Sequence, residues 1–566
     1  MQKLLSSKYW WIFLLLILAG INYLASQFHY RIDFTQEHRY TLSKTTRQLL
    51  GNLQDEVQID VFLKGDFKSG IKKLAQGTEE LLQEFQDYSH GKLVVRYINP
   101  LTDMSDSAAA ALTDSLQRMG ISPMTQVAQS KKGEEQTQRV VMPGAILQYN
   151  NRIYPVNLLA GVRNSDENEL YTNAEALLEY KFASAIDKIT QEKAPLLGYV
   201  LGNGEPLGYT AYSALTYLSS HYRMDSMNLR SVASVPAKFD ALVILQPKEK
   251  FTDSDKLKLD QYIMHGGKLL IAADMLEASM DSLRARNETV AFDKGLELGD
   301  LFFKYGFRIN EDLVQDMQCS NISLVVGMVG DKPQFQLFKW PYYPLLSGSL
   351  THPISKNLDP VYSKFANSID TIKTPDIKKT VLLSTSVNGR SISTPALISF
   401  ESIKVADDPN VFNKPYIPVS LLLEGKFSSL YANRLSTAVK DSFAAVSKEP
   451  FLAAGNKEAK IIVVADGDVL LNEISEQRGP LPMGFNKDIN YTFANQDFLQ
   501  NCIEYLVNPS NILETRAKDF TVRLLDPRKT EDERNTWQLL NIGLPVLLVI
   551  IFGAVYQALR KRKYAK

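Results

Sequence analysis

Hydrophobic and polar positions along the 566-residue chain follow three patterns, and each specifies a different kind of element. Two stretches are apolar without period. Tyr9 to Ala25, roughly 26 Å if helical, reaches the lower limit for crossing the ~30 Å core of a bilayer, and Trp537 to Leu559 exceeds that limit without a charge. Trp10 and Trp11 stand at the near edge of the first, Trp537 and Tyr556 at the edges of the second, as aromatic side chains do at membrane interfaces. A cleaved secretory signal is the competing reading of the first, with Lys3 and Lys8 as its basic region. Tyr23, however, stands where the cleavage site wants a small residue, which favours an uncleaved anchor. Arg560, Lys561, Arg562 and Lys563 follow the second stretch, so the positive-inside rule puts both termini in the cytoplasm. Residues from about 32 to 536 then lie on the far side of the membrane.

Between the anchors the period changes repeatedly. Ser43 can cap a helix carrying Leu49 and Leu50. Val57, Ile59, Val61 and Leu63 alternate as a half-buried strand does, and Ile71, Leu74, Leu81, Leu82 and Phe85 recur at helical spacing before Gly91. With a strand at Leu93 to Ile98 this forms a β-α-β unit opening a small α/β domain over 32–165, of which 101–165 reads as loop or hairpin. Thr172 and Glu175 form a capping-box pattern ahead of a helix with Phe182, Ile186 and Ile189.

From Leu196 the strands become continuous apolar runs: Leu196 to Leu201, Ala241 to Gln246 and Leu269 to Ala273. Helical patterns separate them, one capped by Thr252 and Asp255 and closed by Gly266-Gly267. Buried strands alternating with amphipathic helices predict a doubly wound, mainly parallel sheet over 170–280. Residues 281–460 hold short β-prone runs broken by Pro and Gly, and the α/β pattern returns over 461–510, from Ile461 to Val464. A charged connector spans 511–536. The predicted fold class is therefore α/β. In order, the chain reads as a cytoplasmic N-terminus (1–8), a membrane helix (9–28), these outer segments, a second membrane helix (537–559) and a basic tail (560–566).

Lys plus Arg and Asp plus Glu each total 63, but the two ends carry +3 (residues 1–31) and +5 (537–566), which leaves −8 on 32–536. An acidic outer region argues against nucleic acid as a partner and against tight adhesion to an anionic membrane surface. Two membrane helices cannot form a transport pathway alone, so other subunits would supply any pore. No phosphate-binding Gly-x-x-x-x-Gly-Lys-Ser/Thr sequence occurs, which argues against ATP hydrolysis, and no cofactor is implied. The six histidines never stand at metal-ligand spacing, there is no Gly-x-Ser-x-Gly, and Cys319 and Cys502 sit in contexts that favour inert thiols. A single bridge between the two cysteines stays open. Glu205, Asp274, Asp466 and Asp468 each follow a strand, where ligands of such folds gather, and form the candidate polar site. They could converge on a cation, or serve as the caps and turn formers that Asp and Glu commonly are.

The opening Arg31-Ile-Asp33-Phe-Thr35-Gln-Glu-His-Arg39-Tyr40-Thr41-Leu42-Ser43, followed by Val57-Gln-Ile59-Asp-Val61-Phe-Leu63-Lys-Gly65-Asp66, resembles the start of the GldG family. These are auxiliary, substrate-binding-type components of the gliding-motility ABC transporter system. Gly202-Asn-Gly204-Glu205 is similar to the family's Gly-His-Gly-Glu turn, with Asn203 replacing the His. Val381-Leu-Leu-Ser384-Thr-Ser386, Val463-Val-Ala-Asp466-Gly-Asp468 and Asn495-Gln-Asp497-Phe498 also match its pattern, in order along nearly the whole chain. The resemblance implies a permease and a cytoplasmic ATPase as partners, a location in the bacterial inner membrane with a large periplasmic domain, and contact with periplasmic or gliding-machinery proteins. It also implies a central fold similar to class I glutamine amidotransferases, without their catalytic Cys and His, and hence a non-enzymatic accessory subunit. The alternatives are a membrane-tethered cell-envelope enzyme on that scaffold, or a structural envelope strut.

Overall fold

The computed structural model describes residues 15–20, 22, 41–65, 67–101, 104–121, 123–129, 136–159, 167–508, 510, 512–516 and 533–564. They divide into two units, Met1–Lys518 and Asp519–Lys566, and the first is a mixed α/β structure.

Near the N-terminus, Ser43 accepts the Thr46 N–H and caps the helix Lys44–Gly51. The alternating run forms β1 (Val57–Val61), the helix Ser69–Tyr88 buries Ile71, Leu74, Leu82 and Phe85, and β2 (Leu93–Tyr97) pairs parallel with β1. Two further strands, β3 (Gly144–Tyr149) and β4 (Arg152–Asn157), complete a sheet of order β2-β1-β3-β4. The stretch expected to be loop or hairpin holds a hairpin, Met124–Gln129 with Gln136–Val141, and also a helix, Asp106–Arg118. Four consecutive alanines give that helix propensity, and it is fixed through Leu116, which packs with Phe62, Ile121 and Met142. Thr172 starts no helix. It lies inside Glu167–Ala176, where Lys73 approaches it and pairs with Glu175 at 3.2 Å, and the next helix, Leu178–Thr190, begins after a break at Leu177.

The main sheet contains β5 (Leu196–Leu201), β6 (Arg223–Asn228), β7 (Ala241–Leu245), β8 (Lys268–Ala272), β9 (Cys319–Val329), β10 (Lys332–Gly348), β11 (Ile377–Ser384), β12 (Pro418–Gly425) and β13 (Ala459–Val464). Its order is β9-β10-β11-β12-β13-β8-β7-β5-β6, with Val361–Tyr362 added beside β10. Strands β13, β8, β7, β5 and β6 run parallel, and β9 to β12 continue the sheet antiparallel. Every residue of β7 is buried, so the sheet is covered on both faces there, as its apolar run requires, while the edge strand β6 is largely exposed. Between β7 and β8 the helix Asp253–Met264 starts on a reciprocal cap, Thr252 taking the Asp255 N–H and Asp255 the Thr252 N–H. Residues 281–460 thus supply four strands to the same sheet that β13 rejoins.

In the second unit the helix Arg534–Tyr564 includes Pro545, and the most apolar 18-residue stretch within Thr536–Arg562 has a mean hydropathy of 2.4, its apolar side chains exposed. Among the described residues it is the one helix long and apolar enough to cross a membrane. Trp537, Tyr556, Arg560, Lys561 and Arg562 are exposed on it. Trp10, Trp11 and the side chain of Lys563 lie outside the described residues. Of the expected first span only 15–20 and 22 are described, and they are helical and exposed.

Candidate functional site

Parallel strands end together, and the residues that follow them meet. Ala272 on β8 pairs with Val464 on β13, so Asp274 and Asp466, each two residues further on, emerge side by side. The chain after β13 then turns sharply: the Gly467 N–H donates to Asp274 Oδ1 at 2.6 Å, and the Asp468 N–H to Asp466 Oδ1 at 2.8 Å. Gln246, just past β7, completes the group, with Nε2 donating to Asp274 Oδ2 at 3.0 Å and to Asp468 Oδ1 at 3.2 Å. It does so from φ +41°, a conformation that a residue with a Cβ rarely adopts. The approach is close enough that a Cβ on Gly467 would stand 2.7 Å from Gln246 Cβ, which only glycine avoids.

Asp466 and Asp468 are poorly compensated. Asp466 is buried and accepts from Ser363 Oγ at 2.6 Å and from the Lys364 N–H at 2.7 Å. Burial still holds its carboxyl well above the usual carboxylate range, and the Asp468 and Asp274 charges push the same way. Burial raises Asp468 too; Asp274 adds to the effect and Lys364 opposes it. Lys294 reaches Asp274 at 3.2 Å, and Lys364 forms its ion pair with Glu473.

The group opens into a cavity of about 480 Å³. One wall is Gln246, Asp274 and Asp468; another, from the inserted segment, is Arg284, Lys294, Tyr343, Tyr362 and Lys364; Glu473 and Asp488 close it. Such a surface can recognise a polar ligand through many hydrogen bonds. It presents no cysteine: Cys319 and Cys502 are both unbridged, neither lines the cavity, and burial pushes the Cys319 thiol up to about 12 and that of Cys502 well above its ordinary value. Among the described residues no group of three or more His, Cys, Asp and Glu side chains is arranged to hold a metal ion.

Three of the four strand-end acids are therefore brought together, and Glu205 is not. Pro206 and the positive-φ Gly204 fold its turn back, so that Glu205 Oε2 accepts the Asn203 N–H at 2.8 Å; it does not line the cavity. Sequence reasoning missed Gln246, although it ends a buried strand as Asp274 does and the same rule would have found it. Arg284 comes from the short helix Met280–Arg286, and Lys294, Ser363 and Lys364 follow short strands, none of them with a period to mark it.

All the residues named in the cavity fall within one family match. The model of the ABC-type uncharacterized transport system family covers residues 194–502, more than half of the chain. The chain belongs to this family. Membership supports an accessory role in an ABC transport system. A domain of unknown function, DUF7088, matches residues 36–148, which include the β1–β2 unit. An uncharacterized protein of Borreliella burgdorferi is 20% identical over 547 residues, covering 94% of each chain. Among solved structures, the mmIFT52 N-terminal domain aligns at a TM-score of 0.31 and 13% identity, over 55% of this chain and 97% of that one. The exo-beta-1,4-mannosidase Op5Man5 from Opitutaceae bacterium strain TAV5 aligns at 0.19 and 8%, over 84% and 55%. At such scores neither likeness bears on fold or function.

Proposed function

We propose that this family member is a non-enzymatic accessory subunit of an ABC transporter that serves gliding motility. In this reading both ends anchor it in the bacterial inner membrane, its bulk stands in the periplasm, and a separate permease and cytoplasmic ATPase complete the complex. The observation that carries the proposal lies at the end of β7. The strained position there holds the amide of Gln246, clamped between Asp274 and Asp468, where an enzyme built on such a sheet would need a nucleophile. A charged cavity without a nucleophile at that strand end suits binding. The parallel half of the sheet supports the expectation of an amidotransferase-like scaffold turned to that use, and fold alone brings no activity. The apolar helix ending in Arg560–Arg562 supports a cytoplasmic C-terminus.

The test is a mild-detergent pull-down of the tagged full-length chain from native membranes, with the bound proteins identified and the eluate assayed for ATP hydrolysis. A permease and an ATPase at constant ratio are expected. A chain that elutes alone after crosslinking, without ATPase activity, would remove the proposal in favour of a tethered enzyme or a strut.

A further inference from the structure

Strands β9 and β10 form a long hairpin at the antiparallel end of the sheet, and its far half is exposed on both faces. Register sorts its side chains. Ser323 stands opposite Leu337, Val325 opposite Phe335 and Met328 opposite Pro333, and an irregularity between Val325 and Gly327 keeps Val325 and Met328 on the same face. The other face carries Ile322 and Trp340, both fully buried in the small cluster at the hairpin's base. The outward face is thus apolar, with Met328 and Phe335 each 62% exposed and Val325 and Leu337 exposed beside them. From Ile322 to Gly330 there is no charge; Asp331 and Lys332 at the tip are of opposite sign, and Lys339 near the base is paired with Asp407 at 2.5 Å.

We infer that this hairpin is where two copies of the chain associate, their outer faces packed together about a two-fold axis. Three features select a second copy. In a two-fold contact every side chain meets the surface that bears it, so a charged face repels itself and a charge-free one does not. The face is a β surface, and such surfaces stack on one another about 10 Å apart without needing a shaped groove. Val325, Met328, Phe335 and Leu337 are each about half exposed or more, which makes the face a contiguous apolar patch of the kind that marks a protein contact.

The test uses the full-length chain in native membranes, in a Cys319→Ser background. Val325→Cys and Phe335→Cys, at the centre of the face, are oxidised and read as disulfide-linked dimers, with Leu350→Cys, an exposed position off the hairpin, as the control. Dimers from the first two and none from the third are expected. Phe335→Lys places a like charge opposite itself and should lower the dimer fraction measured by light scattering of the purified chain by about tenfold or more. Being exposed, the position tolerates the change without unfolding, which circular dichroism checks. The proposal is wrong if neither cysteine links, if they link only to a protein of another mass, or if Phe335→Lys leaves dimerisation unchanged. It is also wrong if a dye on Met328→Cys is quenched by nitroxide lipids while no dimer forms, because the face then lies in the bilayer.

Discussion

Between the helices Leu178–Thr190 and Asn495–Val507, Lys188 meets Glu504 at 3.2 Å, while Tyr222 and Asn508 each donate to the same carboxylate at 2.8 Å. At the carboxyl ends of β8 and β13, Asp274, Asp466 and Asp468 crowd together with Lys294 and Lys364 at their margin. Both places bury charge, with opposite results. Burial alone would raise Glu504, but Lys188 and its hydrogen bonds hold it below the usual carboxylate value; Asp466 and Asp468 are left above theirs. The first arrangement joins elements of the fold. The second leaves repulsion that folding does not need, and groups so perturbed beside a cavity make it the candidate functional site.

Breaking the compensated pair should have the largest effect. Lys188→Met leaves Glu504 buried without its cation and should cost about 3–5 kcal/mol in chemical denaturation. A loss under ~1 kcal/mol would mean that Tyr222 and Asn508 suffice, and the contrast between the two sites would shrink. Next is Gly467→Ala, whose new methyl meets Gln246 and should cost about 1–3 kcal/mol while displacing the amide that Asp274 accepts.

The smallest effect has the opposite sign. Asp468→Asn removes one charge from the crowded group and should stabilise the protein by up to ~1 kcal/mol at pH 7. Because Asp466 and Asp468 have raised folded values, the folded state binds more protons than the unfolded one between the ordinary value of about 3.9 and those raised values. Their contribution therefore becomes more favourable as pH falls through that window. The advantage of Asp468→Asn over wild type should shrink on the same titration, whereas Glu504 loses its contribution only as pH falls below its unfolded value of about 4.3. An advantage that grew on acidification would show the three aspartates to be compensated after all.

The same contrast explains what the sequence could reveal. Strands β5, β7, β8 and β13 are buried on both faces, so they read as unbroken apolar runs, and the rule that ligands gather at strand ends reached Asp274, Asp466 and Asp468. That rule also pointed to Glu205, because nothing local told a turn that opens toward the cavity from one that Pro206 folds back on Asn203. Lys294 and Lys364 reach the site from a segment whose place depends on pairings far apart in the chain, β12 beside β13 and Val361–Tyr362 beside β10. The Asp106–Arg118 helix escaped because its apolar face is mostly alanine, with Leu112 and Leu116 as the large apolar side chains. Lys188 and Glu504, 316 positions apart, are brought together by the packing of two helices, which no local pattern records.

In the function proposed above, the charged cavity is the working part of the accessory subunit. The direct measurement is ATP hydrolysis by the purified complex in lipid nanodiscs, prepared without this chain, with the wild-type chain, and with Asp274→Asn/Asp468→Asn. Turnover several-fold higher with the wild-type chain, and a variant that assembles at the same ratio but does not raise it, is the predicted result. Equal turnover in all three preparations would contradict the claim.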